Sequence, residues 1–474
     1  MTGPFVACGF LVPFFTVGTF YFGPYISIQY AAMAIAALLG LLAELLRQRP
    51  YASRGMLRFA FGVLLVFLIA LAVGLATSPH KMQDIGSKAA IQIAGLVVAI
   101  LFAVHAALRA AKDSRFTIAV LRAATLALGI VGALGVAQFA LANVFDAPSL
   151  LRFDWLNTIA GGRIWNDPPQ SPLVVRANSI ASEPSHFARM MAFALGFAVL
   201  RVGMLGPSAQ SAIAPIMPRA TAYVVLLSVL FASSLLALVE FVVVIAFTYA
   251  LAARWDASSL ARLFIRATPL VAVGALFVST IGEEVLAKFW SLERLVLPQT
   301  DLADAHTVEL SALAVLVNRV VMEGNLSLSP MLGGGIGSHP VAYDLLGPGF
   351  IAATSGLAGL NAEDASGLLI RLLSETGTLG AILFLSVMLT PIVAALALRG
   401  RLGYLTASDR FLVVGLVSSF AATLAACMGR SGSYFDLSLW LLLALTLGTL
   451  CRMSSRHGAM DKQSPRAAHR YGHG

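Results

Sequence analysis

The sequence predicts an all-α, polytopic integral membrane protein of about twelve transmembrane helices with one large loop outside the bilayer. Three observations lead there. The composition is 58% hydrophobic and only 12% charged, with a mean hydropathy of +0.85. Apolar runs such as Met56–Thr77, Ala89–Ala111, Ala220–Leu251, Leu263–Ile281 and Ala381–Leu398 are long enough to cross a hydrocarbon core of about 30 Å as helices. The basic residues gather in short clusters at the ends of those runs, which is a topology signal. The net charge of +9 is thereby explained without any nucleic-acid partner. Cys8, Cys427 and Cys451 lie within or beside apolar runs, so no disulfide framework is indicated.

Residues 1–281 read as about nine N-terminal transmembrane helices, with a smaller outer loop near 146–182. The first Lys or Arg is Arg47, so no basic region precedes an apolar segment and no cleavable signal peptide is expected. Basic clusters follow at Arg47–Arg58, Arg109–Arg115, Arg201 with Arg219, Arg254 with Arg262 and Arg266, and Arg399–Arg410, then in the tail. Keeping all of them on the cytoplasmic side requires an even number of crossings between each pair. The test is Ala220–Ala252, an apolar stretch with basic residues beyond both ends. A single helix there would invert everything downstream, so the expectation is a hairpin of two short spans turning near Ser233-Ser234.

Residues 282–371 then form the large outer loop. Of the 23 acidic residues, 11 fall between Glu283 and Glu375, so this excursion differs in kind from the apolar chain around it. Loops beyond about 15 residues are usually functional or disordered. The helical stretch Leu310–Met322 and a glycine cluster argue for order. Residues 372–453 read as about three C-terminal spans, and 454–474 as a polar, basic, flexible cytoplasmic tail.

Three segments carry possible chemistry. In Ser182-Glu183-Pro184-Ser185-His186-Phe187-Ala188-Arg189, Ser182 or Glu183 caps a helix and Pro184 suits its first turn. A helix entering the membrane from outside turns its free N–H groups toward the outer surface, where they suit a phosphate. His186 shares a face with Arg189, and an arginine more than a turn inside is costly and functional by default. The bland account is a Glu183 pair with Arg189 or Arg176 that only closes the lip. The second segment is Pro330-Met331-Leu332-Gly333-Gly334-Gly335-Ile336-Gly337-Ser338-His339. A dinucleotide loop needs strand–turn–helix context, which an outer loop lacks. The glycines instead permit a tight turn or close backbone approach, and His339 is either an acid–base group or a solvated loop residue. Arg319, on the preceding helix, either binds phosphate or anchors the surface. The third segment runs from Ser366 to Gly380 and holds Arg371 and Glu375 at i,i+4, a plain helix ion pair or part of an outer-lip site. Glu240, inside its span, and Arg430, at a neighbouring outer end, are charges that either pair or act. No His/Cys/Asp cluster in the outer loop has metal-ligand spacing, so no metal or other cofactor is expected.

In order, these segments resemble the O-antigen polymerase and ligase superfamily of bacterial polysaccharide assembly. The likeness rests on Ser182-Glu183-Pro184-Ser185 opening a span, the hairpin at Ser233-Ser234, Pro330–Gly337 in the large loop, and Leu369–Gly377 leading into the next span, covering roughly residues 180–390. The resemblance implies a glycosyltransferase working in the bacterial inner (cytoplasmic) membrane at its periplasmic face, with both termini cytoplasmic and the large loop periplasmic. Its donor would be an undecaprenyl-diphosphate-linked oligosaccharide, used without metal or nucleotide. It further implies catalytic roles for Glu183, His339 and Glu375, and diphosphate binding by Arg371, Arg189, Arg319, Arg176, His186 and Arg430. A chain-length regulator and a flippase are the implied partners. Two departures stand out. Ser234-Leu235 occupies the hairpin turn where many members have Ser-Arg. Ser366-Gly367 stands where ligases carry His-Asn, which favours a repeat-unit polymerase over a ligase and leaves the base unassigned. A rival of another class is a polysaccharide transporter or lipid-linked sugar flippase. Such proteins place polar groups near the midplane on broken helices, whereas here the charges gather at the outer lip.

Overall fold

A computed structural model of the protein describes residues 2–14, 27–45, 55–160, 166–167, 175–203, 205–252, 310–346, 361–363, 365–430 and 433–468. The α-helices among them, in chain order, are α1 (Gly3–Phe10), α2 (Ile28–Leu45), α3 (Gly55–Ala76), α4 (Met82–Lys112), α5 (Ser114–Asn143), α6 (Trp155–Ala160), α7 (Pro184–Arg201), α8 (Pro207–Ile213), α9 (Arg219–Phe231), α10 (Leu235–Ala252), α11 (Leu310–Leu328), α12 (His339–Leu346), α13 (Leu368–Ala397), α14 (Arg399–Leu402), α15 (Ala407–Gly429) and α16 (Leu437–Ala468). No strand occurs among the described residues. That is the solution open to a chain whose backbone polar groups find no water in lipid.

Among the described residues, seven helices are long and apolar enough to cross a membrane: α3, α4, α5, α10, α13, α15 and the Leu437–Ser455 part of α16. The protein is thus a membrane protein with several transmembrane helices. Expected spans at Met56–Thr77, Ala89–Ala111 and Ala381–Leu398 fall on α3, α4 and α13. The expected span Leu263–Ile281, and parts 282–309 and 347–360 of the large loop, lie outside the described residues.

The centre of the bundle is α7, α15 and α16. In the apolar windows of α15 and α16, 89% and 94% of residues are buried, against 28% for α3 at the periphery. Small residues allow this closeness, as in helix pairs that cannot rely on hydrophobic exclusion from lipid. A Cβ on Gly196 of α7 would lie 2.8 Å from the Gly415 carbonyl oxygen of α15, and one on Gly448 of α16 would lie 2.3 Å from the Ala107 carbonyl of α4.

The stretch Ala220–Ala252 is broken where the sequence indicates. α9 ends at Phe231, α10 begins at Leu235, and Ser233 between them takes φ +43°. The contacts at the helix ends show that the chain reverses. Phe231 O accepts from Ala177 N (3.0 Å), and Leu236 lies against Gly429. At the far ends, Arg219 reaches Gln210 Oε1 (2.8 Å) and Arg410 donates to Ala252 O. That far end also holds Arg201, bonded to Met217 O at 2.8 Å, and Arg452, bonded to Ala110 O at 2.9 Å. The described basic clusters therefore converge on one end of the bundle, and Glu183 and Arg430 on the other.

The polar, basic tail that follows the last span continues α16 in helical conformation to Ala468. Extending an existing helix needs no new nucleus, so a polar continuation is held at little cost.

Candidate functional site

At the end of the bundle opposite the basic clusters, the short segment between α15 and α16 reaches all three sequence motifs but one. Arg430 pairs with Glu183 at 2.6 Å. The Tyr434 ring lies 5.1 Å from the Arg371 guanidinium, and its hydroxyl donates to Arg371 O (3.3 Å). Asp436 forms a buried ion pair with Arg189. Local chemistry fixes Tyr434 and Asp436. Asp436 is the N-terminal cap of α16, accepting from Leu439 N (3.0 Å), and Trp440 Nε1 ties down Tyr434 O (2.7 Å).

The bland account, a pair of Glu183 with Arg189 or Arg176, does not match these contacts, which pair Glu183 with Arg430. Glu183 does stand at the cap position of α7, but its carboxylate turns away from the helix to Arg430 and to Ser185 Oγ (3.2 Å). Burial alone would raise the Glu183 carboxyl, but Arg430 and then His186 outweigh it and hold it below its ordinary value. Ser182 Oγ meets His186 Nδ1 at 2.6 Å, so this serine anchors the imidazole. Arg176 sits just before Ala177, at the hairpin turn, and is half-buried.

The remaining motif, the glycine loop, docks by backbone contact onto α13. Gly377 interrupts α13 with φ +63°, ψ −169°, a region open essentially to glycine alone. Gly333, at φ +67°, faces it so closely that a Cβ on either residue would lie 2.5 Å from the other's nitrogen. Thr378 N and Leu379 N, at the break, donate to Pro330 O and Met331 O (3.0 and 3.1 Å). The close approach the glycines permit is thus to another part of this chain.

His339 is no solvated loop residue. It is fully buried at the start of α12, with Nδ1 2.8 Å from Ser374 Oγ and Nε2 2.9 Å from Asn318 Oδ1. Asn318 turns its amide nitrogen to Ala314 O (2.7 Å) and Ser366 Oγ (3.1 Å), which assigns the proton to His339 Nε2. Burial, and then the charge of Arg371, push the imidazole down to about 3, so it is neutral at pH 7. Asn325 continues the network. Its amide nitrogen serves Ser338 Oγ (3.1 Å) and Ser374 O (3.0 Å), and its oxygen meets His80 Nε2 (2.7 Å).

Arg371 and Glu375 are both buried and lie 3.5 Å apart, longer than a charge-assisted hydrogen bond. The Glu375 oxygens accept no hydrogen bond of standard geometry. Tyr434 is beside them. Burial and then Glu375 raise its phenol well above the usual value, so it remains a donor. Arg319 stands apart, paired with Glu323 at 2.8 Å on the exposed side of α11.

Tyr434, Asp436, Asn318, Asn325, Ser374 and His80 escape a reading of the sequence by motif. Two signals were present. Asp436 directly precedes an apolar run, the position of a helix cap. Asn318 and Asn325 are seven residues apart, hence on one face of an otherwise apolar helix. Compared with protein-family models and with curated proteins, the chain matches none.

Proposed function

We propose that this protein is a polysaccharide polymerase. On this reading it joins undecaprenyl-diphosphate-linked oligosaccharide repeat units at the periplasmic face of the bacterial inner membrane, without a metal. The observation that supports it is the 430–436 segment, which draws the Glu183 and Arg371 motifs together at the bundle end away from the basic clusters.

Arg371 and Arg430 offer forked donors of the kind that suit a doubly anionic diphosphate. Arg189 lies deeper and supports them through Asp436. Glu375 takes the proton of the acceptor hydroxyl, and that oxygen attacks the anomeric carbon of the donor sugar. The bond from that carbon to the diphosphate oxygen breaks, and the lipid diphosphate leaves with its charge held by the arginines. Electrostatic stabilisation of the leaving group carries most of the rate. Glu375 is preferred to His339 as base because both His339 nitrogens are hydrogen-bonded, whereas the Glu375 oxygens, loosely paired with Arg371, accept no hydrogen bond of standard geometry. His339 then orders Ser374 next to Glu375. Glu183 orients Arg430.

The transporter reading has one observation in its favour, the buried Glu240 inside α10. A single assay separates the two. Purified protein given lipid-linked repeat units in detergent micelles, with EDTA present, should produce oligosaccharides longer than one repeat. A flippase would leave the substrate chemically unchanged, because micelles have no compartments. A ligase would transfer glycan only when a lipid acceptor was added. No product longer than the input unit under any acceptor condition would sink the polymerase reading.

A further inference from the structure

Glu240 takes no part in the site above. It lies in α10, five residues after Leu235 and hence about 7.5 Å along the helix from its outer end. Its side chain is fully buried, and neither carboxyl oxygen has a hydrogen-bond partner. The charge acting on it is Arg189 of α7. That guanidinium is already committed to Asp436, and the Cys427 thiol of α15 also lies within reach of the group. Arg371 and Glu375 of α13 are engaged with each other and with Tyr434. Arg399 and Arg401 of α14 belong to the opposite end of α10, where Ala252 meets Arg410.

The charges therefore do not balance if both acids are ionised. One guanidinium faces two carboxyl groups out of reach of solvent, and an ionised carboxylate there would carry a desolvation cost that no hydrogen bond offsets. Asp436 has the arginine and a backbone N–H from Leu439; Glu240 has neither. We propose that Glu240 is a proton-binding site within the membrane bundle, holding its proton as a neutral carboxylic acid beside the Arg189–Asp436 pair. The inference is independent of whether the protein polymerises or transports sugars.

A neutral acid in an apolar setting has a distinctive reactivity. Its O–H adds across one C=N bond of a carbodiimide: the proton goes to nitrogen and the carboxyl oxygen bonds the central carbon. Where burial shields the O-acylisourea from hydrolysis, the acyl group migrates from oxygen to nitrogen, giving a stable N-acylurea with no atom lost.

Two measurements on the full-length protein in detergent test the site. Treatment with dicyclohexylcarbodiimide at neutral pH, followed by peptide mass spectrometry, should place an N-acylurea on Glu240. Absence of that adduct, in micelles that admit the apolar reagent, overturns the proposal. Glu240→Gln is the second. Glutamine is the neutral isostere of the protonated acid, so this variant should keep the wild-type melting temperature, whereas Arg189→Gln should lose many degrees. A Glu240→Gln protein that fails to fold, or that melts as early as Arg189→Gln, means that Glu240 is an ionised partner of Arg189, and the proposal fails.

Discussion

Arg371 shows how one side chain depends on its surroundings. Its guanidinium is shared between a loose pair with Glu375 and the face of Tyr434, so both its planarity and its charge matter. Arg371→Lys keeps the charge but loses the fork; it should abolish most polymer while leaving expression intact, and unchanged polymer from Arg371→Ala would remove the site as drawn. Tyr434→Phe keeps the ring and loses one buried hydrogen bond, a cost of about 1 kcal/mol. The expected outcome is a modest drop in melting temperature with a larger fall in kcat than in KM affinity, read by steady-state kinetics on lipid-linked repeats. His339 gives a prediction in pH. Its folded-state imidazole sits near 3, below its ordinary value near 6.5, so acid favours the unfolded chain, which binds a proton the native ring refuses. The associated stability is complete above about pH 6.5 and is lost progressively as pH falls toward 3. Melting temperatures across that window should decline more steeply for wild type than for His339→Gln. Arg371 and Glu375 were legible from their spacing alone. The burial of His339 was not, because its partners Asn318 and Ser374 come from two other elements.

At the scale of elements, α13 is the most informative. It consists of two helical stretches that meet at Gly377, where the backbone leaves helical conformation and the glycine loop's Pro330 and Met331 carbonyls accept from Thr378 N and Leu379 N. Gly377→Ala adds a methyl group where φ is +63° and where a neighbouring nitrogen lies at 2.5 Å. The backbone term alone is about 1–3 kcal/mol, and the overlap adds to it. This variant should melt early and lose polymer even though it alters no charged residue, whereas the tolerant Gly400→Ala, with open space around it, should match wild type in both assays. Hydropathy made the spans readable, and the distribution of basic residues made the break at Ser233-Ser234 readable. It could not locate the docking of the glycine loop on α13, since both segments carry the same small-residue signature whatever they approach.

For the whole molecule, the separation of charge between the two ends is the main result. Arg201, Arg219, Arg410 and Arg452 lie at one end, and the Glu183–Arg430 pair lies at the other. We expect the basic end to face the cytoplasm. Single cysteines at exposed Ser327 and Ser208 check this, against a background in which Cys8, Cys427 and Cys451 are all buried. Ser327→Cys in intact cells should react with an impermeant maleimide, and Ser208→Cys should react only after lysis; the reverse pattern would invert the topology. A sequence read locally predicts this sidedness well, because each span end carries its own signal. It predicts long-range partners poorly, since nothing near Glu183 or Arg189 in the chain names Arg430 or Asp436.

Those two ion pairs have a consequence for biogenesis. Each joins residues 247 positions apart, and in both the partner of α7 is supplied from the last described part of the chain. At synthesis rates of 5–20 residues per second, the arginine and the acid of α7 wait on the order of 10–50 s for their counter-charges. During that interval α7 cannot settle at its final depth, because an unpaired guanidinium in lipid is costly. It must remain at the lip or be sheltered by the insertion machinery until the 430–436 segment arrives. A nascent chain stalled before Arg430 should therefore hold α7 accessible to aqueous labelling, and one released after Asp436 should not.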